Sequence, residues 1–260
     1  MNKIKTLLIG ILLSATALGN TDITVNDGQS AHNQYAIDPR GLYESGYVSK
    51  NSVAANEWDL KAFGFNKQTS ELTFVGGFNP LTGQDGWVLG DIFFDLNSDS
   101  YRPIRSNQNG FLQYANPNFE YAIHFTGVNG KFLDYDIYAL TAQSQVLTGW
   151  FKQNKEQDPY ALFVDANSTK IGSGSTKVKT VNSQVFNSIF STDIGNSPTN
   201  FMATLDIAFL GQNQDFSSHL TLSCGNDNLV GLGSTVPEPA SAGVLAGVAL
   251  LGLGLRRLKR

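Results

Sequence analysis

The chain has 260 residues, of which 15% are charged and 41% hydrophobic, and its formal net charge at pH 7 is −4. This acidic balance disfavours nucleic acid and anionic lipid as partners of the main body. The single cysteine, Cys224, excludes an intrachain disulfide, so buried apolar side chains have to stabilise the fold. Cys224 alternates with Leu220 and Leu222, which favours a small buried residue over a reactive thiol.

Residues 1–19 have the three parts of a secretory signal peptide. Lys3 and Lys5 give a positive start, residues 7–13 form a short apolar run, and residues 15–19 offer the small side chains that signal peptidase requires. No cysteine follows the apolar run, which excludes a lipoprotein anchor. We therefore expect export, with a mature chain that starts near Asn20.

The body that follows reads as a series of short strands. Apolar and polar residues alternate with a period of two, and clusters of Gly, Asn, Asp and Ser separate the candidate strands. This pattern predicts a mostly β protein with a single antiparallel β-sandwich or jelly-roll-like domain, flanked by the signal peptide and a C-terminal membrane helix. The candidate strands are residues 58–62, 72–75, 90–96, 121–126, 133–140, 161–165, 201–210 and 220–224.

Two stretches depart from this pattern. Val181, Val185 and Ile189 fall at helical spacing and predict a short helix. Residues 172–175 read Gly-Ser-Gly-Ser and predict a flexible loop between two halves of the domain.

Oxygen-bearing side chains alternate where one strand ends. Asp95, Asn97 and Asp99 provide the ligands that calcium prefers, with Asp91 as a candidate additional ligand. The glycine and the bidentate acid of an EF-hand loop are missing from the positions that follow. The alternative interpretation is an Asn/Asp-rich turn whose side chains bind their own backbone.

A second acidic pair lies within a candidate strand. Asp134, Asp136 and Tyr138 share one face, and two carboxylates at that spacing could serve a glycoside hydrolase. The commoner interpretation is a solvated strand face. The three histidines, His32, His124 and His219, are dispersed, so no zinc site is predicted. We predict that the protein is not an enzyme.

The tryptophans offer a different chemistry. Exposed Trp58, Trp87 or Trp150 could stack on sugar rings, and Trp87 stands out because it follows a turn at Asp85-Gly86. Burial in the core explains the same residues and is the commoner interpretation. Carbohydrate binding is therefore an alternative function that the sequence leaves open.

The tail has three consecutive parts. Val236, Pro237, Glu238 and Pro239 form an extended segment that a processing enzyme can grip, since proline disfavours helix. A Gly- and Ala-rich apolar run follows, and about 24 Å of helix over residues 240–255 suits a transient anchor better than a permanent span. The basic end stays cytoplasmic under the positive-inside rule and consists of Arg256, Arg257, Lys259 and Arg260.

This tail resembles the PEP-CTERM sorting signal of Gram-negative bacteria, which a membrane-embedded exosortase recognises. The segment from His219 to Leu229, which contains Cys-Gly-Asn-Asp, and the strand 90–95 are also similar to segments of such proteins. The resemblance implies an exported surface protein with a β-rich domain. It implies signal peptidase and exosortase as partners, a stage in the inner membrane, and then residence at the cell surface or in the extracellular matrix.

The expected organisation follows from these observations. Residues 20–235 carry 12 basic and 21 acidic residues, a net charge of −9 that suits an exported protein. We expect a structural or adhesive function, with a carbohydrate-binding module, either calcium-dependent or metal-free, as the alternative and a polysaccharide hydrolase as the less favoured one. The predicted segments are the signal peptide (1–19), a β-rich extracellular domain (20–230), a linker (231–235) and the sorting signal (236–260), with its motif at 236–240, membrane helix at 241–255 and basic end at 256–260.

Overall fold

The structure is a computed structural model, and it describes residues 21–25, 36–37, 43–44, 53–97, 104–105, 113–116, 118–148, 156–157, 159–182, 184, 199–225 and 227–236. Two 3₁₀ helices lie in these ranges, at Val53–Trp58 and Ala208–Leu210. The strands, numbered in chain order, are β1 (Thr21–Asp22), β2 (Ala36–Ile37), β3 (Tyr43–Glu44), β4 (Leu60–Asn66), β5 (Glu71–Gly76), β6 (Leu89–Asp95), β7 (Ile104–Arg105), β8 (Gln113–Ala115), β9 (Tyr121–Asn129), β10 (Phe132–Ala139), β11 (Gln145–Thr148), β12 (Glu156–Gln157), β13 (Pro159–Phe163), β14 (Thr169–Lys177), β15 (Lys179–Val181), β16 (Asn200–Asp206), β17 (Asp215–Leu222) and β18 (Asn228–Ser234).

Two large sheets dominate the described part of the chain. One has the strand order β1-β4-β5-β16-β15, and the other has the order β14-β10-β9-β6-β17-β18. A three-stranded sheet has the order β13-β11-β8, and two short pairs join β12 to β7 and β2 to β3. The pairings between these strands are antiparallel. The prediction of a mostly β, antiparallel protein is confirmed.

The main core lies between the two large sheets. Phe65 and Phe74 of the five-stranded sheet contact Phe216 and Phe125 of the six-stranded sheet edge-on, with ring centroids 5.2 and 6.3 Å apart. Leucine and isoleucine side chains from both sheets fill the space around them. Each fully buried side chain of this kind contributes about 1.5–3 kcal/mol through loss of apolar surface to water, so two sheets sharing one core account for stability without a disulfide.

A third layer covers part of the other face of the six-stranded sheet. Phe93 and Tyr138 from that sheet pack against Val146 and Leu162 of the three-stranded sheet. As a result β6 is buried on both faces, with Ile92 in the main core and Phe93 in the second one. The alternation of β6 was predicted correctly, but its second face is also buried.

The large sheets are joined along both sides. On one side residues 23–25 run between β4 and β18, with hydrogen bonds from Ile23 N to Phe63 O (2.9 Å) and from Val25 N to Val230 O (2.8 Å). On the other side β14 continues through Val178, whose N–H donates to Lys131 O, into β15 of the opposite sheet.

The predicted flexible loop at residues 172–175 is wrong, because these residues form the middle of β14. The glycines serve packing here: a Cβ on Gly174 would lie 2.5 Å from the ring of Tyr135 on β10. Small residues are therefore required where this strand crosses a large neighbouring side chain.

The remaining predicted segments are a linker, a short helix, the signal peptide and a membrane helix. Residues 231–234, expected in a linker, belong to β18. Val181 ends β15 and Gln184 is helical, while Val185 and Ile189 lie outside the described residues. The signal peptide and the predicted membrane helix at 241–255 also lie outside them. Within the ranges given above, the structure has no helix with the length and hydropathy needed to cross a membrane.

Candidate functional site

The outward side of β9, β10 and β14 carries a group of polar residues that we call the polar face. Antiparallel pairing sets it out in rungs: Lys177, Phe132 and Asn129; then Ser175, Asp134 and Gly127; then Ser173, Asp136 and His124. A fourth rung, Lys170 with Tyr138 and Ala122, leads under the three-stranded sheet. The first three rungs are therefore the open part of this face.

The polar face contains the predicted acidic pair. Asp134 and Asp136 project from the same side of β10 and are both partly exposed, as expected from their spacing. Asp136 forms an ion pair with Lys170 on β14, with Nζ and Oδ1 2.7 Å apart. Tyr138, predicted to accompany the pair, is 7% exposed and packs in the second core. Tyr138 therefore shares one side of β10 with the two carboxylates, as predicted, but its ring is buried in the second core.

His124 is held in place by Asp91 on the neighbouring strand β6. The Nδ1 atom of His124 lies 2.7 Å from Asp91 Oδ2, and the ring of Tyr138 contacts the imidazole edge-on. The same Asp91 carboxylate also accepts hydrogen bonds from the backbone N–H groups of Phe125 (3.0 Å) and Leu162 (2.7 Å). Asp91 therefore positions His124 and fastens β13 to the large sheet.

These contacts affect titration. Burial alone would lower the pKa of His124, but the hydrogen bond to Asp91 and the negative charges of Asp91 and Asp136 together raise it above 6.5. Burial, followed by the charge of Asp91, also raises the pKa of Tyr160. His124 is thus a partly exposed cation at mildly acidic pH.

His219 has a different environment. Its side chain is fully enclosed, with Nε2 2.8 Å from Thr221 Oγ1 and the ring stacked 6.0 Å from that of Phe119. Burial lowers its pKa to about 3, opposed in part by a hydrogen bond to the backbone of Pro159. His219 is a neutral core residue, and it does not lie with His124. His32 falls outside the described residues.

The predicted calcium loop begins as a tight turn. Asp95 Oδ1 accepts a hydrogen bond from Asn97 N (2.9 Å), and the carboxylate of Glu120 accepts from Leu96 N (2.7 Å) and from Asn97 Nδ2 (2.6 Å). Asp91 points to His124 rather than to this loop. Asp99 lies outside the described residues. Among those described, no group of three or more His, Cys, Asp and Glu side chains is arranged to hold a metal ion.

The tryptophans that could have stacked on sugars pack against the core. Trp58 and Trp87 are partly buried beside the main core, and Trp58 lies 6.3 Å from Phe78 between ring centroids. Trp150 lies outside the described residues. The exposed aromatic ring on the polar face is Phe132, which is 43% exposed. The sequence did not indicate that this ring is exposed, because Phe132 stands just before the alternating pattern of the predicted strand 133–140.

The segment from His219 to Leu229 forms the hairpin between β17 and β18. Ser223 accepts a hydrogen bond from Val88 N (2.8 Å), and the Asp227 carboxylate accepts one from Leu60 N (2.6 Å). Cys224 is buried, as predicted. Gly225 has a φ of 69°, which glycine adopts without strain. These polar residues hold the hairpin to neighbouring strands, a structural use of a motif that the sequence left without a role.

Sequence comparison gives one family match, and it falls on the tail. A model of the PEP-CTERM protein-sorting motif matches residues 235–260. The chain is a PEP-CTERM sorted protein. The motif marks it for export through the membrane to the cell surface, with an exosortase as the processing partner. No curated protein and no solved structure matches the chain.

The folded body of this PEP-CTERM protein reaches the first residues of the sorting motif. Thr235 N donates to Gln214 O (2.8 Å), Gln214 N donates to Thr235 Oγ1 (2.8 Å), and Gln214 Nε2 donates to Leu96 O (3.0 Å). We call this set of contacts the Thr235 clamp. Val236, the first residue of the predicted recognition segment, follows it directly and is 42% exposed.

Proposed function

We propose that the β-rich body of this exported, exosortase-processed protein acts structurally or adhesively at the cell surface or in the extracellular matrix. The observation that carries the proposal is the sorting motif at residues 235–260, which follows the last strand without a spacer. An anchored β domain of this kind would be presented outside the membrane and then released or retained there. Signal peptidase would remove residues 1–19 during export.

The tail residues have separate roles in this proposal. Pro237, Glu238 and Pro239 provide recognition, residues 241–255 hold the chain in the inner membrane, and the basic end sets orientation. We expect that replacing Pro237, Glu238 and Pro239 by alanine leaves the protein uncleaved in the membrane fraction. Fractionation and immunoblotting of producing cells would measure this. Normal release of the variant would contradict the role of the motif.

Carbohydrate binding is the second candidate function, and the polar face favours it. An exposed aromatic ring, carboxylates and hydroxyls lie together on an open sheet surface there. A polysaccharide hydrolase using Asp134 and Asp136 is the less favoured candidate, since Asp136 is engaged with Lys170. Turnover of a reporter glycoside that disappears in Asp136→Asn would favour the hydrolase.

Calcium binding by Asp95, Asn97 and Asp99 remains a proposal. The turn that Asp95 and Glu120 already form would place Asn97 beside a carboxylate-rich loop end. We expect millimolar calcium to raise the melting temperature of the protein and a chelator to reverse the rise. An Asp99→Asn variant should lose the response, whereas an Asp85→Asn variant, changed in an exposed turn elsewhere, should keep it. Equal melting temperatures with calcium and with chelator would contradict the calcium site and support the interpretation as an Asn/Asp-rich turn.

A further inference from the structure

We propose that the polar face is a binding site for a neutral polysaccharide, centred on Phe132, Asp134 and Asp136. This inference rests on the adhesive role proposed above and names the site and the class of ligand. The three strands are neighbours in one sheet, so side chains on successive rungs stand about 7 Å apart along a strand and about 5 Å apart across strands. That spacing offers a row of polar groups to an extended chain molecule.

The exposed ring gives the face its apolar contact. Phe132 is 43% exposed although the protein has a large core available, and it directly precedes Asp134 on the same side of β10. An aromatic ring that keeps one side open presents a flat apolar surface, and the C–H side of a sugar ring is a matching one. The polar groups beside it then decide orientation, as in small-molecule sites where a few polar side chains surround an apolar contact.

The floor of the face is open at its centre. Gly127 lies opposite Asp134, and nothing lies within 4 Å of the position where a Cβ on Gly127 would be. The pairing of β9 with β10 shifts by one residue next to this point, between Asp134 and Tyr135. Such a bulge changes the direction of side chains locally. Asp134 therefore has no side chain opposite it on β9, which leaves open space beside its carboxylate.

The groups around this open position are held in place before any ligand arrives. Asp91 fixes the His124 ring at 2.7 Å, and Lys170 fixes Asp136 at 2.7 Å. Carboxylates accept hydrogen bonds from sugar hydroxyls, while Ser173, Ser175 and Asn129 both donate and accept. Because side chains already restrained lose little freedom on binding, the site avoids part of the entropic cost of association.

The charges select a neutral ligand. Lys170 pairs with Asp136, and Lys177 at the end of β14 balances Asp134 in number, so these four groups together carry no net charge. An acidic polysaccharide would gain no net attraction and would meet the Asp134 carboxylate at the centre of the face. A protein partner would require a larger apolar area than one phenylalanine ring offers. A polymer of uncharged sugars fits both the hydrogen-bonding groups and the single stacking ring.

Affinity electrophoresis of the full chain tests the proposal. The protein, in a polyoxyethylene detergent that carries no sugar, is run through native gels containing galactomannan, hydroxyethyl cellulose, dextran or alginate. We expect retardation in at least one of the neutral polymers and none in alginate. Phe132→Ala and Asp134→Asn should each weaken binding by roughly tenfold or more, as loss of a main contact does.

The matched control is Phe163→Ala. Phe163 is 41% exposed, close to the value for Phe132, but it lies on β13 outside the polar face. The Phe163→Ala variant should bind the polysaccharide as the unmodified chain does. Absence of retardation in all three neutral gels, a preference for alginate, or equal losses in Phe132→Ala and Phe163→Ala would overturn the proposal. Processing of the tail in cells is a separate readout: normal processing without binding would refute the polysaccharide site and leave the sorting role intact.

Discussion

Two histidines of this protein show how burial and partners set opposite charges on the same side chain. His124 is partly exposed beside Asp91, and its pKa lies above 6.5. His219 is enclosed by the second core, and burial lowers its pKa to about 3. One histidine is therefore prepared to carry a proton on the surface, and the other is kept neutral between two layers.

We predict that His219 makes the fold sensitive to acid. Its pKa is lower in the folded state than in the unfolded chain, so the unfolded state binds more protons between pH 6.5 and about 3. Stability from this group is complete above pH 6.5 and falls as pH decreases through that window, by up to about 1.4 kcal/mol per pH unit. Urea unfolding between pH 7 and 4 should show this decrease in the free energy of unfolding in the natural chain, and His219→Gln should lack it.

His124→Gln is the control for that measurement. The folded-state pKa of His124 is raised, so its contribution is present below pH 6.5 and disappears as pH rises through the folded-state value. His124→Gln should therefore lower stability by a constant amount below pH 6.5 and change the slope of stability against pH only above that value. Parallel curves for the natural chain and His219→Gln would show that His219 is not held neutral in the core.

At the scale of elements, the start of β4 departs from the sequence pattern. Alternation over residues 58–62 predicted one charged and one apolar face. Asp59 and Lys61 do share a side, but both are fully buried and form an ion pair with each other. The pairing of β4 with β5 shifts between Leu60 and Ala62, which inserts Lys61 as an extra residue. Alternation could not reveal that this side faces other protein groups instead of water.

We predict that this ion pair is sensitive to loss of one partner. Lys61→Met would leave the Asp59 carboxylate buried without its cation and should lower the free energy of unfolding by about 3–5 kcal/mol. The double variant Asp59→Leu with Lys61→Met replaces both charges by apolar side chains. It should recover much of the lost free energy of unfolding, because neither charge then has to be desolvated. Urea denaturation of both variants measures the difference. A double variant no better than Lys61→Met would contradict this account.

Strand β14 illustrates a second limit of sequence reasoning. Its Gly-Ser-Gly-Ser core has the composition of a flexible linker, and only the neighbouring strand explains it. Gly174 lies under the ring of Tyr135, so a larger residue there would collide with β10, and a Cβ on Gly172 would lie in tight contact, 3.3 Å, with Ile137. Composition describes the isolated segment, whereas the requirement for small residues comes from a side chain some forty positions earlier.

For the molecule as a whole, the sequence predicted what depends on local pattern. The β class, the faces of β6 and the burial of Cys224 follow from alternation and composition. The third layer and the contact between Asp91 and His124 do not, because they join residues that are distant in sequence. The sorting signal could be recognised because it is read as a linear motif, and a family model matches it over residues 235–260.

The Thr235 clamp has a mechanical consequence. In the proposed arrangement, with the tail in the membrane and a polymer bound to the polar face, a pull between them would enter the body through β18. This strand is paired with β17 along its length, and antiparallel hydrogen bonds lie perpendicular to the strand axis. Tension along β18 therefore shears many bonds at once instead of opening them one after another. An anchored protein built in this way would resist being torn from its attachment until the processing enzyme cuts the tail.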